Sequence, residues 1–91
     1  MKPKLYVKKP VAQECVQWTG HNLEDIRKWT SPQEAFTYGP GPGTQDDILM
    51  INTLRGQVQC KVGDWIIKNA LVTEFYPCPD EVFKVAYQDL D

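Results

Sequence analysis

Four residues of this chain carry side chains suited to acid–base or nucleophilic chemistry: His21, Asp64, Glu74 and Cys78. Two carboxylates flanking a cleft can divide the roles of general acid and general base, as Asp64 and Glu74 would have to do. An imidazole titrating near neutrality can act as the base, and a thiol becomes a nucleophile when a neighbouring His or Lys lowers its pKa. The local sequence gives each residue a structural job instead. Asp64 follows Gly63 in a turn, where an Asp side chain bonds nearby backbone, and Glu74 opens a strand. His21 sits in a capping loop, and Cys78 lies between Pro77 and Pro79 with no activating neighbour. No catalytic residue is assigned, and the chain reads as a non-enzyme.

Metal and cofactor chemistry lack the necessary spacing. A zinc site wants paired ligands such as C-x₂-C, whereas Cys15, Cys60 and Cys78 are far apart and the single His21 has no partner at ligand spacing. No metal and no cofactor are expected. Three widely spaced cysteines are poor material for a disulfide framework, so buried free thiols are expected. No apolar run approaches the roughly 18 residues of a membrane span. The opening lysines lead to Pro10 rather than to the apolar segment of a signal peptide, which predicts a cytoplasmic protein.

Charge narrows the partners further. Ten Lys and Arg against twelve Asp and Glu leave a net charge of −2, whereas small nucleic-acid binders carry a basic excess. Lys2, Lys4, Lys8 and Lys9 make residues 1–9 a basic arm, read as a solubilising edge or tail. With 91 residues, 42% hydrophobic and 24% charged, the chain makes one globular domain, 1–91.

The elements that must position these residues centre on the stretch from Lys61 to Tyr87, which holds five of the ten aromatic residues. Trp65-Ile66-Ile67 is apolar at consecutive positions, the mark of a strand covered on both faces. Residues 5–19 read as a strand with Val16 and Trp18 towards the core and Glu14 as the misfit on that face. Asn22 reads as the N-cap of a helix, with Leu23, Ile26 and Trp29 as its apolar stripe. Ser31-Pro32-Gln33-Glu34 signals a second short helical turn through Phe36. Residues 37–46 are rich in Gly and Pro and read as a surface loop. Ile48–Leu54 and Gln57–Val62 form a hairpin about Arg55-Gly56, with Val58, Cys60 and Val62 buried on one face. Glu74–Tyr76 is a further strand, ended by Pro77-Cys78-Pro79; Asp80 reads as the cap of one helical turn through Val82-Phe83, and Lys84–Leu90 is the last strand. The order β-α-β-β-β-β-β predicts an α+β fold. One short helix would pack on a bent, mainly antiparallel sheet or small barrel of about five to six strands.

Without a catalytic set, the aromatic residues become the binding candidates. Exposed aromatics are enriched on binding surfaces, and Tyr38, Trp65 and Tyr76 are the expected ones, beside the Gly/Pro loop. Asp64 and Lys68, the charged neighbours of Trp65, complete the set. A concave mouth on a bent sheet is the alternative, with a base stacked on Trp or Tyr and Lys61 and Lys68 neutralising phosphate.

Several motifs in this order have a family character. They are Val16-Gln17-Trp18-Thr19-Gly20, Thr53-Leu54-Arg55-Gly56, Gly63-Asp64-Trp65-Ile66-Ile67-Lys68, Glu74-Phe75-Tyr76-Pro77-Cys78, and Phe83 with Tyr87. Together they resemble a family of small bacteriophage and prophage proteins, over about Pro10 to Tyr87. Arg55, Asn69 and Ala86 depart from the family pattern, which has Glu, Gly and Thr there. The shared residues are turn glycines and core aromatics, so the resemblance implies a phage origin and a common fold, and it implies no site. Chains of this class often act stoichiometrically on host machinery. The expected function is therefore a phage accessory protein in the host cytoplasm, binding a host or phage protein as a host-takeover or anti-defence inhibitor. A protein that sequesters a small ligand or nucleotide is the alternative.

Overall fold

The computed structural model describes residues 2–6, 11–33, 35–38, 48–69 and 74–88. Their order is β1 (Glu14–Gln17), α1 (Leu23–Thr30), β2 (Phe36–Tyr38), β3 (Leu49–Thr53), β4 (Gly56–Cys60), β5 (Trp65–Asn69), β6 (Glu74–Cys78) and α2 (Asp80–Ala86). The strands form two three-stranded antiparallel sheets, β1-β5-β6 and β2-β3-β4. The fold is α+β, and no closed barrel exists among the described residues.

Register explains the layering. Glu14 lies opposite Lys68 and Lys68 opposite Phe75, while Val16 lies opposite Ile66. Residues paired in this way share a face, so Val16, Ile66 and Phe75 point to one side of the first sheet. Cys15, Ile67 and Tyr76 point to the other. The first side forms the main core with Trp18 from the end of β1, Ile26 from α1, and Leu49, Ile51 and Cys60 from the second sheet. Trp29 of α1 meets the Phe75 ring edge-on at 5.1 Å, while its indole N–H donates to the misfit Glu14 at 2.8 Å. Ile66 and Ile67 are both fully buried, as a strand apolar on both faces requires.

The second side is covered by α2. Phe83 stacks on Trp65 at 4.0 Å, and Tyr87 stacks on Phe83 at 4.8 Å. The Trp65 indole N–H donates to the Asp80 carboxylate at 2.9 Å. That bond, followed by the Lys84 ammonium 3.0 Å away, holds the Asp80 carboxyl below its usual range. This helix replaces the strand expected over Lys84–Leu90; residues 89–91 lie outside the described residues. Local signals start the helix and tertiary stacking carries it on. Pro79 precedes Asp80 and Glu81, acids that suit a helix N-terminus, and Phe83 and Tyr87 at i, i+4 share its inner face.

Other elements differ from expectation at their ends. The first strand is confined to Glu14–Gln17, and Leu5 and Tyr6 are exposed in a segment without regular structure. Phe36 opens β2 instead of closing a helical turn, so Thr37 and Tyr38 belong to a strand. Residues 39–46 of the expected loop lie outside the described residues, as do residues 7–9 of the basic arm. β6 continues through Pro77, which the ladder tolerates because β6 is an edge strand. Asn22 precedes α1, yet its side chain bonds backwards. Its Oδ1 accepts from Thr19 N, and its Nδ2 donates to the Gln17 carbonyl, so it braces the turn and does not cap the helix. At the other end, Ser31 is extended because Pro32 follows it.

Candidate functional site

Of the four residues of possible chemistry, the carboxylates Asp64 and Glu74 each have a structural duty. Asp64 Oδ2 accepts the Lys61 amide at 3.0 Å and closes the β4–β5 turn, where Gly63 adopts φ 99°. Glu74 Oε1 accepts the Leu54 amide at 3.1 Å. His21 is exposed, and its backbone amide donates to Thr19 Oγ1. Cys78 is buried, and burial first, then the Asp64 carboxylate, raises its pKa above the ordinary thiol value. The same two causes push the Cys60 thiol up to about 12. These environments favour the inert thiol over the nucleophilic thiolate. Among the described residues, no group of three or more His, Cys, Asp or Glu is arranged to hold a metal.

The binding candidates are also dispersed. Tyr38 is 48% exposed and meets Trp18 edge-on at 6.2 Å. Trp65 and Tyr76 are half-buried beneath α2, where the Tyr76 hydroxyl lies 3.2 Å from that of Tyr87. Lys68 belongs to the opposite face of the same sheet, and Asp64 is bound in its turn. The structure therefore brings Trp65 and Tyr76 to one face and does not gather the set into one site.

A different surface emerges at the β3–β4 hairpin. Leu54 at its tip is 85% exposed, Val58 within β4 is 43% exposed, and Val62 just beyond it is 51% exposed. Sequence alternation places Val58 and Val62 in the core with Cys60, but of the three only Cys60 is buried. Alternation reports which residues share a face. It does not report how far along the strand that face is covered. The hairpin is firmly braced. Gly56 takes φ 111° after the Leu54-Arg55 turn, Thr53 Oγ1 donates to Gly56 O at 2.7 Å, and the Arg55 amide donates to Thr53 Oγ1. Gln57 Nε2 bonds Asn52 Oδ1 across the pair at 3.0 Å. A surface held this way loses little freedom when something binds it.

Clefts lie at both ends of α1. One, of about 310 Å³, lies between Trp18, Tyr38 and the start of α1, with Glu24 and Asp25 in its lining. The other, of about 420 Å³, lies between the end of α1 and β2, where the Arg27 guanidinium sits 5.7 Å from the centre of the Phe36 ring. The first has the aromatic wall of a ligand site, but among the described residues its lining contains carboxylates and no Lys or Arg, a poor electrostatic match for phosphate. The chain matches no family model, no curated protein and no solved structure.

Proposed function

We propose that this protein is a non-enzymatic binding module that docks on another protein through the β3–β4 hairpin. The observation that carries this reading is the exposure of Leu54, Val58 and Val62 on a braced edge hairpin. Apolar side chains left in water on a rigid frame bind a partner with little ordering cost. The motif resemblance adds the biological class: a phage accessory protein acting in the host cytoplasm on a host or phage protein, of the host-takeover or anti-defence kind. The sequestering of a nucleotide is the weaker alternative, because the aromatic cleft beside α1 is rimmed by Glu24 and Asp25.

The test is capture from bacterial host lysate on immobilised protein, with titration of the captured species. Saturable capture of one protein by wild type is expected, with a loss of about tenfold or more in affinity for Leu54→Asp combined with Val58→Lys. Val85→Lys, a change at a residue 89% exposed on α2, should capture normally. An absent saturable partner, or equal capture by the hairpin variant, would defeat the proposal.

A further inference from the structure

We propose that β4 receives an extended segment of the partner as a fourth strand of the second sheet, and that this segment alternates apolar with acidic residues. The proposal rests on the binding-module reading above and gives its partner a chemistry.

The first support is backbone geometry. Thr53 and Gly56 close a two-residue turn and face each other across the ladder. With that pair hydrogen-bonded, antiparallel alternation directs the Gly56, Val58 and Cys60 groups inward to β3. The N–H and C=O of Gln57 and Gln59 then face outward. Among the described residues β4 pairs with β3 alone, and its first four residues are exposed.

The second support is that β4 lacks the guards that edge strands usually carry. Lysine, proline, bulges or brevity normally blunt an edge. Gly56-Gln57-Val58-Gln59-Cys60 contains no charge and no proline, and its five pairs with β3 are continuous. The other edges are treated differently. β2 has three residues, β6 contains Pro77, and the last carbonyl of β1 is taken by Asn22 Nδ2 at 2.8 Å.

Side chains select the occupant. An added strand would set apolar residues beside exposed Val58 and polar ones beside Gln57 and Gln59. Exposed Arg55 and Lys61 flank the strand at its two ends, so acids at the polar positions gain on both sides. The same charges disfavour a second copy of this chain. In an antiparallel pairing centred on Val58, each Arg55 would face the Lys61 of the other copy, and like charges directly opposite destabilise.

Amide hydrogen exchange on the full chain tests this, with a nine-residue peptide alternating Glu and Val as the probe. Saturating peptide should slow exchange at Gln57 and Gln59 by about tenfold or more, leave the already paired Val58 less changed, and act more weakly as salt rises. A Lys/Val peptide of the same alternation should bind less, and Arg55→Glu with Lys61→Glu should reverse that preference. Gln59→Pro removes an outward donor and keeps the β3 ladder, so it should abolish protection at Gln57 without unfolding the chain. Absence of protection at both amides up to about 1 mM peptide, or equal binding of the two peptides, would overturn the proposal. So would protection that appears without peptide as protein concentration rises, since the occupant would then be a second copy. If peptide protection fails while the Leu54 and Val58 changes still abolish partner capture, strand addition falls and the binding module stands. If the peptide protects both amides while no partner is captured, strand addition stands and the lysate-partner reading falls.

Discussion

Truncating Phe83 to Ala tests whether α2 is the cover of the first sheet's outer side. The ring is half-buried and lies between Trp65 and Tyr87, nearly parallel to both, at interplanar angles of 4° and 10°. Each aromatic contact contributes about 0.5–1.5 kcal/mol beyond burial, and half-burial of a Phe side chain about 1 kcal/mol. The expected loss is therefore about 2–4 kcal/mol, a large share of the stability available to a domain of this size. The change should also release α2 from Ile67, which is fully buried on that side, so Trp65 should lose its near-ultraviolet dichroism. Urea denaturation followed by that signal and by far-ultraviolet dichroism measures both effects. Val85→Ala, on the exposed side of the same helix, should cost less than about 0.5 kcal/mol. Equal costs for the two variants would show that the Trp65–Phe83–Tyr87 stack does not fasten the helix.

Three further outcomes are expected. Phe75→Ala should destabilise by about 3–5 kcal/mol in urea titration, because the side chain is 3% exposed and packs against Trp29 in the main core. Gly56→Ala should cost about 1–2 kcal/mol even though a Cβ there meets nothing within 4 Å, since φ 111° strains any L side chain; a neutral result would contradict the turn geometry. Alkali should weaken the fold. Burial, then Asp64, raises the folded Cys60 pKa from 9.0 to about 12, and burial, then the Tyr76 hydroxyl, raises that of Tyr87 above 10.0. Both groups hold their protons more tightly when folded, so their stabilisation is complete below the unfolded values and is lost as pH rises through the folded ones. The urea midpoint should fall from pH 9 upward, and a midpoint flat to pH 11 would contradict the burial of both groups.

The centre of the fold is legible in the sequence and its margins are not, for physical reasons. Trp65-Ile66-Ile67 signals a strand covered on both faces, and Ile66 and Ile67 are buried on opposite sides of β5. Val16, Trp18, Ile26 and Trp29 can be placed because their periodicities are strong and their partners are core residues. The start of the closing helix, Asp80 to Phe83, is legible as a helical turn, but Lys84–Ala86 reads as strand because Val85 favours strands by local propensity, whereas the stacking of Phe83 and Tyr87 that fixes α2 on the sheet is tertiary. The hairpin surface is hidden for a related reason. Val58 looks buried because it alternates with Cys60, and only the arrangement of the two sheets shows that the cover ends before it. Aromatic richness points instead to Trp65 and Tyr76, whose rings serve the helix–sheet contact. Of the three aromatic candidates, Tyr38 is the exposed one.

Site-specific photo-crosslinking in cells producing the protein tests the hairpin surface most directly, with a benzophenone side chain placed in turn at positions 58, 38 and 85. A single saturable crosslinked protein from position 58, absent from positions 38 and 85, is the predicted result. Crosslinks from position 38 or 85 to the same partner, with none from position 58, would place the docking surface elsewhere and contradict the proposal.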